Sequence, residues 1–197
     1  MFTNNYIAFR HNLFFGRGNG SSISYGGGTS IPAKKMTNPL GSTVIMYANE
    51  YVDECDIGYN MDAQIANPAD GLVTSKGTTK GGVYFGSGAR PATKEDYNLE
   101  VPISSGLNAV NGAGFLKDDG NGKYSFSRDF VLTNTTEENI TVSEIGCFTP
   151  VKVNSASSNQ QWWPILMDRT VLPEPVVIQP NESKLITYKF VFNQVET

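Results

Sequence analysis

Alternation of apolar and polar positions is clearest near the C-terminus, in Leu185-Ile186-Thr187-Tyr188-Lys189-Phe190-Val191-Phe192. Side chains of a strand point alternately to its two faces. Ile186, Tyr188, Phe190 and Phe192 therefore share an aromatic-rich inner face, and Leu185, Thr187, Lys189 and Val191 a mixed outer one. Tyr124 to Leu132 repeats the pattern, with Tyr124, Phe126, Phe130 and Leu132 on one side. Shorter apolar runs occur at Val83–Phe85, Leu99–Ile103, Ile140–Ile145, Trp162–Met167 and Val176–Ile178, separated by Gly, Pro and Asn. Short strands with such punctuation predict an all-β chain, an antiparallel β-sandwich of jelly-roll-like or Ig-like kind.

The front of the chain reads differently. Residues 1–43 hold little periodicity and carry Gly16, Gly18, Gly20 and Gly26-Gly27-Gly28. Glycine raises the entropic cost of ordering, so such a segment is either a poorly ordered terminus or ordered by a partner surface. Phe2, Tyr6, Ile7, Phe9, Leu13, Phe14 and Phe15 are too many apolar residues for a plain linker. The expectation is an extended N-terminal arm over 1–43 in front of a sandwich over 44–197. Deleting the arm should leave a folded sandwich that cannot assemble. Residues 43–57 fit a helix or a strand equally well, and Asn67-Pro68-Ala69-Asp70-Gly71 reads as a turn.

Composition supports a turn-rich β chain. Among 197 residues there are 20 Gly and 10 Pro, with 39% hydrophobic and 17% charged residues. The net charge of −4 argues against nucleic acid as a partner, since phosphate binding needs clustered Lys and Arg. No apolar run is long enough to cross a bilayer, no signal peptide is visible, and cytoplasmic synthesis is the expectation. Cys55 and Cys147 permit one disulfide at most. The sequons at Asn19, Asn134, Asn139 and Asn181 follow from the richness in Asn and Thr.

Candidate chemistry is sparse, and the chain is not expected to be an enzyme. His11 is the only histidine and lies in the arm, so neither a histidine-based triad nor a Cys/His zinc site is expected. The glycines at 77–82 and 86–88 lack the order of a phosphate loop. Lys117-Asp118-Asp119-Gly120-Asn121-Gly122-Lys123 resembles a calcium loop, but Lys117 and Arg128 would stand where carboxylates are required. A hairpin turn explains it without a metal. Asp53, Glu54, Asp56 and Asp62 give no sign of sharing a cleft. No metal and no cofactor are therefore expected. Trp162 and Trp163 are adjacent, so on a strand one indole should fill the core and the other face outward, as a protein-interface anchor in preference to a sugar-stacking platform.

Three segments in order resemble structural proteins of tailed bacteriophages. Val83 to Ile103 is similar to their strand, Gly-X-Gly, Pro, Asp-Tyr-X-Leu segment. Phe130 to Phe148 resembles their strand, Asn-Thr loop, strand and Glu-Ile-Gly-Phe hairpin. Leu166 to Pro173, with Val176–Ile178 and the last strand, looks like their ending. The resemblance covers 83–193 and carries no catalytic residues. It implies a virion protein of the neck, head–tail connector or tail that forms a ring-like homo-oligomer with portal, tail hub or neighbouring ring proteins. Phe9, Phe14 and Phe15 of the arm and Trp162 or Trp163 are its expected contacts. Arg169 either pairs with an acidic neighbour or braces its own loop. The alternative is a head decoration or a tail-appendage or baseplate module that binds cell-surface glycan.

Overall fold

The computed structural model describes residues 1–8, 22–24, 30–32, 35–46, 62–70, 81–120, 123–154 and 160–193. Residues 4–8 form a short helical segment. Eleven strands are described: β1 (Ser22–Ser24), β2 (Ser30–Pro32), β3 (Lys35–Thr37), β4 (Thr43–Met46), β5 (Ala63–Gln64), β6 (Gly82–Gly86), β7 (Leu107–Gly120), β8 (Lys123–Asn134), β9 (Ile140–Asn154), β10 (Gln160–Ile178) and β11 (Ser183–Asn193). β1 and β2 pair only with each other. The other nine make two sheets. One runs β3-β4-β9-β6-β5 with β10 along the second edge of β9, and the other is β11-β8-β7.

The sheets face each other across one apolar layer, as the all-β, sandwich-like reading expects. Val83 and Phe85 of β6, Val142, Ile145 and Cys147 of β9, and Ile178 of β10 meet Phe130 and Leu132 of β8 and Ile186, Tyr188 and Phe190 of β11. The C-terminal alternation holds residue by residue: Ile186, Tyr188 and Phe190 are buried, while Leu185 and Val191 are exposed. β7 and β8 form a hairpin with Gly120 opposite Lys123, where the turn was expected.

Several elements differ from the sequence reading. Leu99–Ile103 is irregular, joined to β6 by an isolated bridge between Gly86 and Pro102. Pro102 has no N–H for a ladder. Trp162–Met167 and Val176–Ile178 belong to one 19-residue strand, β10, with register irregularities near Asp168 and between Val171 and Val176. Pro173 and Pro175 fall in the second. Among the described strands β10 pairs with β9 alone, and an edge position is where Pro164, Pro173 and Pro175 are tolerated. Thr43–Met46 is strand, and the remainder of the ambiguous 43–57 segment lies outside the described residues.

Described parts of the first 43 residues pack against the rest of the chain. β3 and β4 pair across the boundary drawn at residue 43. Ala8 and Met36 are buried with Val151, Trp163, Ile165 and Met167 in a second cluster. Apolar side chains at 8 and 36 are worth more inside than exposed, so these parts join the core. Removing residues 1–43 is therefore expected to give an unfolded or strongly destabilised chain rather than a folded, assembly-incompetent one. Circular dichroism and thermal melting of the truncated chain check this.

Candidate functional site

Arg169 is fully buried, at 0% exposure. It sits on β10 opposite Gly146 of β9, where a side chain would come within 2.8 Å of Leu99. Its Nε donates to Glu144 at 2.7 Å, and its Nη1 donates to Asp96 at 2.8 Å. Nη2 has no hydrogen-bond partner and lies 3.7 Å from Glu100. Glu144, also fully buried, accepts from the backbone N–H groups of Gly88, Glu100 and Val101 at 3.2, 3.1 and 2.8 Å. A side chain at Gly86 or Gly88 would come within 2.5 or 2.6 Å of the Glu144 carboxylate, which accounts for both glycines. Asp96 is held further by Arg90 at 2.7 Å and by the Thr93 N–H and hydroxyl.

This network fastens residues 87–104 over the outer side of β6, β9 and β10. Leu99 completes the seam there with Tyr84, Phe148 and Leu166. Burial of two carboxylates and a guanidinium is tolerated because nearly every charged atom has a partner. Arg169 thus braces its own chain and is not available to an acidic neighbour.

Burial alone would raise the Asp96 pKa, but the Thr93 N–H, then Arg90 and Arg169, hold it below the ordinary value of 3.8. A carboxylate with a depressed folded-state pKa stabilises the fold above its unfolded value and loses that contribution as pH falls through the folded one. Stability is expected to fall below about pH 4, and Asp96→Asn should flatten that fall. Chemical unfolding of both chains across pH 2–6 measures it.

The N-terminal segment makes a second built contact, on the free edge of β10. Phe2 bridges antiparallel to Asp168. The Met1 ammonium lies 2.8 Å from the Asp168 carboxylate and donates to the Arg169 carbonyl at 2.7 Å, and the Arg169 N–H donates back to the Met1 carbonyl at 3.2 Å. The Thr3 N–H donates to the Met167 carbonyl at 3.0 Å, and its hydroxyl to that of Leu166 at 2.8 Å. Asp168 also accepts from the Tyr188 hydroxyl of β11. Burial, then the Asp168 charge, pushes the Tyr188 pKa well up, so this hydroxyl remains a donor. Phe2 stacks on Tyr6 with ring centres 4.2 Å apart and lies 6.4 Å from Phe190.

The third feature is the outer face of the β11-β8-β7 sheet. Strand register places Leu185, Val131 and Val110 in one row across the three strands. Leu185 is 63% exposed and Val110 54%. Phe115 and Val191 lie further along the same face, and Leu116, 75% exposed, lies on the inner side of the β7–β8 tip. Thr187, Lys189, Asp129 and Ser127 stand on the same face between this row and Val191.

The described residues expected from sequence to make contacts lie away from this face. Trp162 and Trp163 are 6% and 4% exposed, so neither indole faces outward. Residues 1–8 and β3 cover the face of β10 that carries Trp163. Phe9, Phe14 and Phe15 lie outside the described residues, as do His11 and Cys55. Cys147 is buried, and burial, then the Asp168 charge, raises its thiol pKa. Asp62 is an exposed partner of Arg128 at 3.1 Å. Asn134 is fully buried and donates to the Glu138 and Ile178 carbonyls, so its sequon is structural. A shallow cleft of about 300 Å³ beside the charged network is lined by Pro39, Arg90, Asp96, Tyr97, Asn98, Leu99 and Glu100. Among the described residues no group of His, Cys, Asp and Glu is arranged to hold a metal ion.

By its architecture the chain is an all-β protein with two packed antiparallel-rich sheets. Comparison with protein-family models, with curated proteins and with solved structures returns no match.

Proposed function

We propose that the chain is a structural component of a tailed-phage virion, part of the neck, head–tail connector or tail, working as a ring-like homo-oligomer. The observation that supports this is the Val110–Val131–Leu185 row, exposed at Val110 and Leu185 and half-buried at Val131, with Phe115 and Val191 exposed on the same sheet face. A surface of that kind is stabilised when another subunit covers it, and a head-to-tail contact between this patch and a different surface of the next subunit, repeated around an axis, closes a ring. The sandwich behind it is rigid, with its loop at 87–104 clamped by buried ion pairs. In this reading the chain catalyses nothing and takes no cofactor. Its partners are portal, tail hub or adjoining ring proteins, and its location is the virion, assembled in the host cytoplasm.

The glycan-binding alternative draws on a different feature. Tyr97, 42% exposed, lines the cleft with Asn98, Glu100 and Arg90, an aromatic face beside polar groups. Pull-down against a purified portal or tail hub, run beside retention on cell-surface polysaccharide, separates the two. Capture by the virion protein and flow-through on the polysaccharide supports the ring reading. The reverse pattern supports the glycan module.

A further inference from the structure

We propose that residues 1–8 form an exchangeable segment, which in the assembled oligomer docks on β10 of a second copy of this chain instead of its own. The inference rests on the oligomeric reading above and names the contact that laces the copies together.

Pro164 and Pro173 bound residues 165–172, the longest proline-free stretch of the β10 edge. Met1 to Thr3 lie within that stretch, pairing with Met167 to Arg169. An unpaired edge invites another strand. The occupant is defined by its chemistry: an aromatic ring at position 2 to meet Phe190 and a hydroxyl at position 3 that donates to the Leu166 carbonyl. Residues 1–8 of any copy supply both.

Connectivity permits the exchange. The contacts of Met1 and Thr3 are to residues more than 160 positions away in sequence. Residues 9–21, which include Gly16, Gly18 and Gly20, join the segment to β1, and a connection of that length reaches at most about 45 Å. Exchange of an identical element keeps every contact and changes only how the connection runs, which makes it a low-cost route to association. The Asn5 amide, which donates to the Thr37 carbonyl at 2.8 Å and accepts from its N–H at 2.7 Å, would lock the same segment onto β3 of the receiving copy.

Cysteine pairing tests this on the full-length chain. The Asn4 N–H donates to the Lys94 carbonyl at 2.6 Å, and both side chains are exposed, so these positions suit a disulfide. One preparation carries Asn4→Cys and another Lys94→Cys. They are mixed under conditions that dissociate and then reform the oligomer, and oxidised, with each variant alone as control. Exchange predicts a covalent species of twice the chain mass in the mixture and not in either control. An oligomer that forms without that species, while the double variant closes its disulfide within one chain, overturns the exchange and leaves the oligomeric reading standing. No oligomer under any condition overturns both.

Discussion

Arg169→Met is expected to lower the stability of the folded chain by about 3–5 kcal/mol, the usual cost of stripping one partner from a buried ion pair. Methionine keeps much of the volume but supplies no donor. Glu144 and Asp96 would then lose the hydrogen bonds of 2.7 and 2.8 Å from the guanidinium while remaining inside. Glu144 would keep its three backbone donors, and Asp96 would keep Arg90 and Thr93. The loss should therefore fall short of fully uncompensated charges and still remove much of the about 5–15 kcal/mol that holds a typical domain. Arg169→Lys should fall between, because an ammonium cannot span two carboxylates as the planar fork does. Urea unfolding measures all three chains. A loss below about 1 kcal/mol for Arg169→Met, the range of exposed ion pairs, would mean that the network is solvated.

The second large effect is expected at Phe130. Its ring is fully buried on β8 and meets Phe85 of the opposing sheet edge-on, with centres 5.6 Å apart. Truncation to Ala removes contacts on both sides of the interlayer and leaves a cavity that the flanking strands cannot close without breaking register. The expected cost is about 3–5 kcal/mol, read from the urea midpoint at unchanged slope. A near-neutral Phe130→Ala would mean that the two sheets do not pack through this residue.

The strands that sequence made legible are those where periodicity and burial coincide. In β11 the apolar positions Ile186, Tyr188 and Phe190 face the other sheet and the intervening ones face water, so pattern and environment agree. β7 escaped notice for a physical reason. Its sequence, Leu-Asn-Ala-Val-Asn-Gly-Ala-Gly-Phe-Leu-Lys-Asp-Asp-Gly, has low strand propensity and little burial, and it is held by pairing to β8. Local sequence does not report a partner strand.

The charged network was visible only in part. Glu144 stands between Val142 and Ile145 in β9, and a carboxylate there signals a buried partner. That the partner is Arg169, 25 positions on, and that both clamp a loop through Asp96, depends on tertiary pairing. The tryptophans misled because adjacent strand residues face opposite sides, and the inference that one side is wet assumed a half-covered strand. At Trp163 the covering material comes from residues 8 and 36, far away in sequence. The virion reading rests on the order of loose motifs together with an exposed sheet face, so its strength lies in what assembly experiments return.

Sedimentation velocity of the purified chain beside Leu185→Asp tests the central claim most directly. Leu185 is largely exposed, so the substitution should shift stability by no more than about 0.5 kcal/mol while placing a charge in the apolar row. The account predicts a defined high-order oligomer for the wild-type chain and a folded species of much lower mass for the variant. A wild-type chain that sediments strictly as a monomer and binds no virion component contradicts it. So does an oligomer that Leu185→Asp leaves unchanged, which would move the assembly surface away from this sheet.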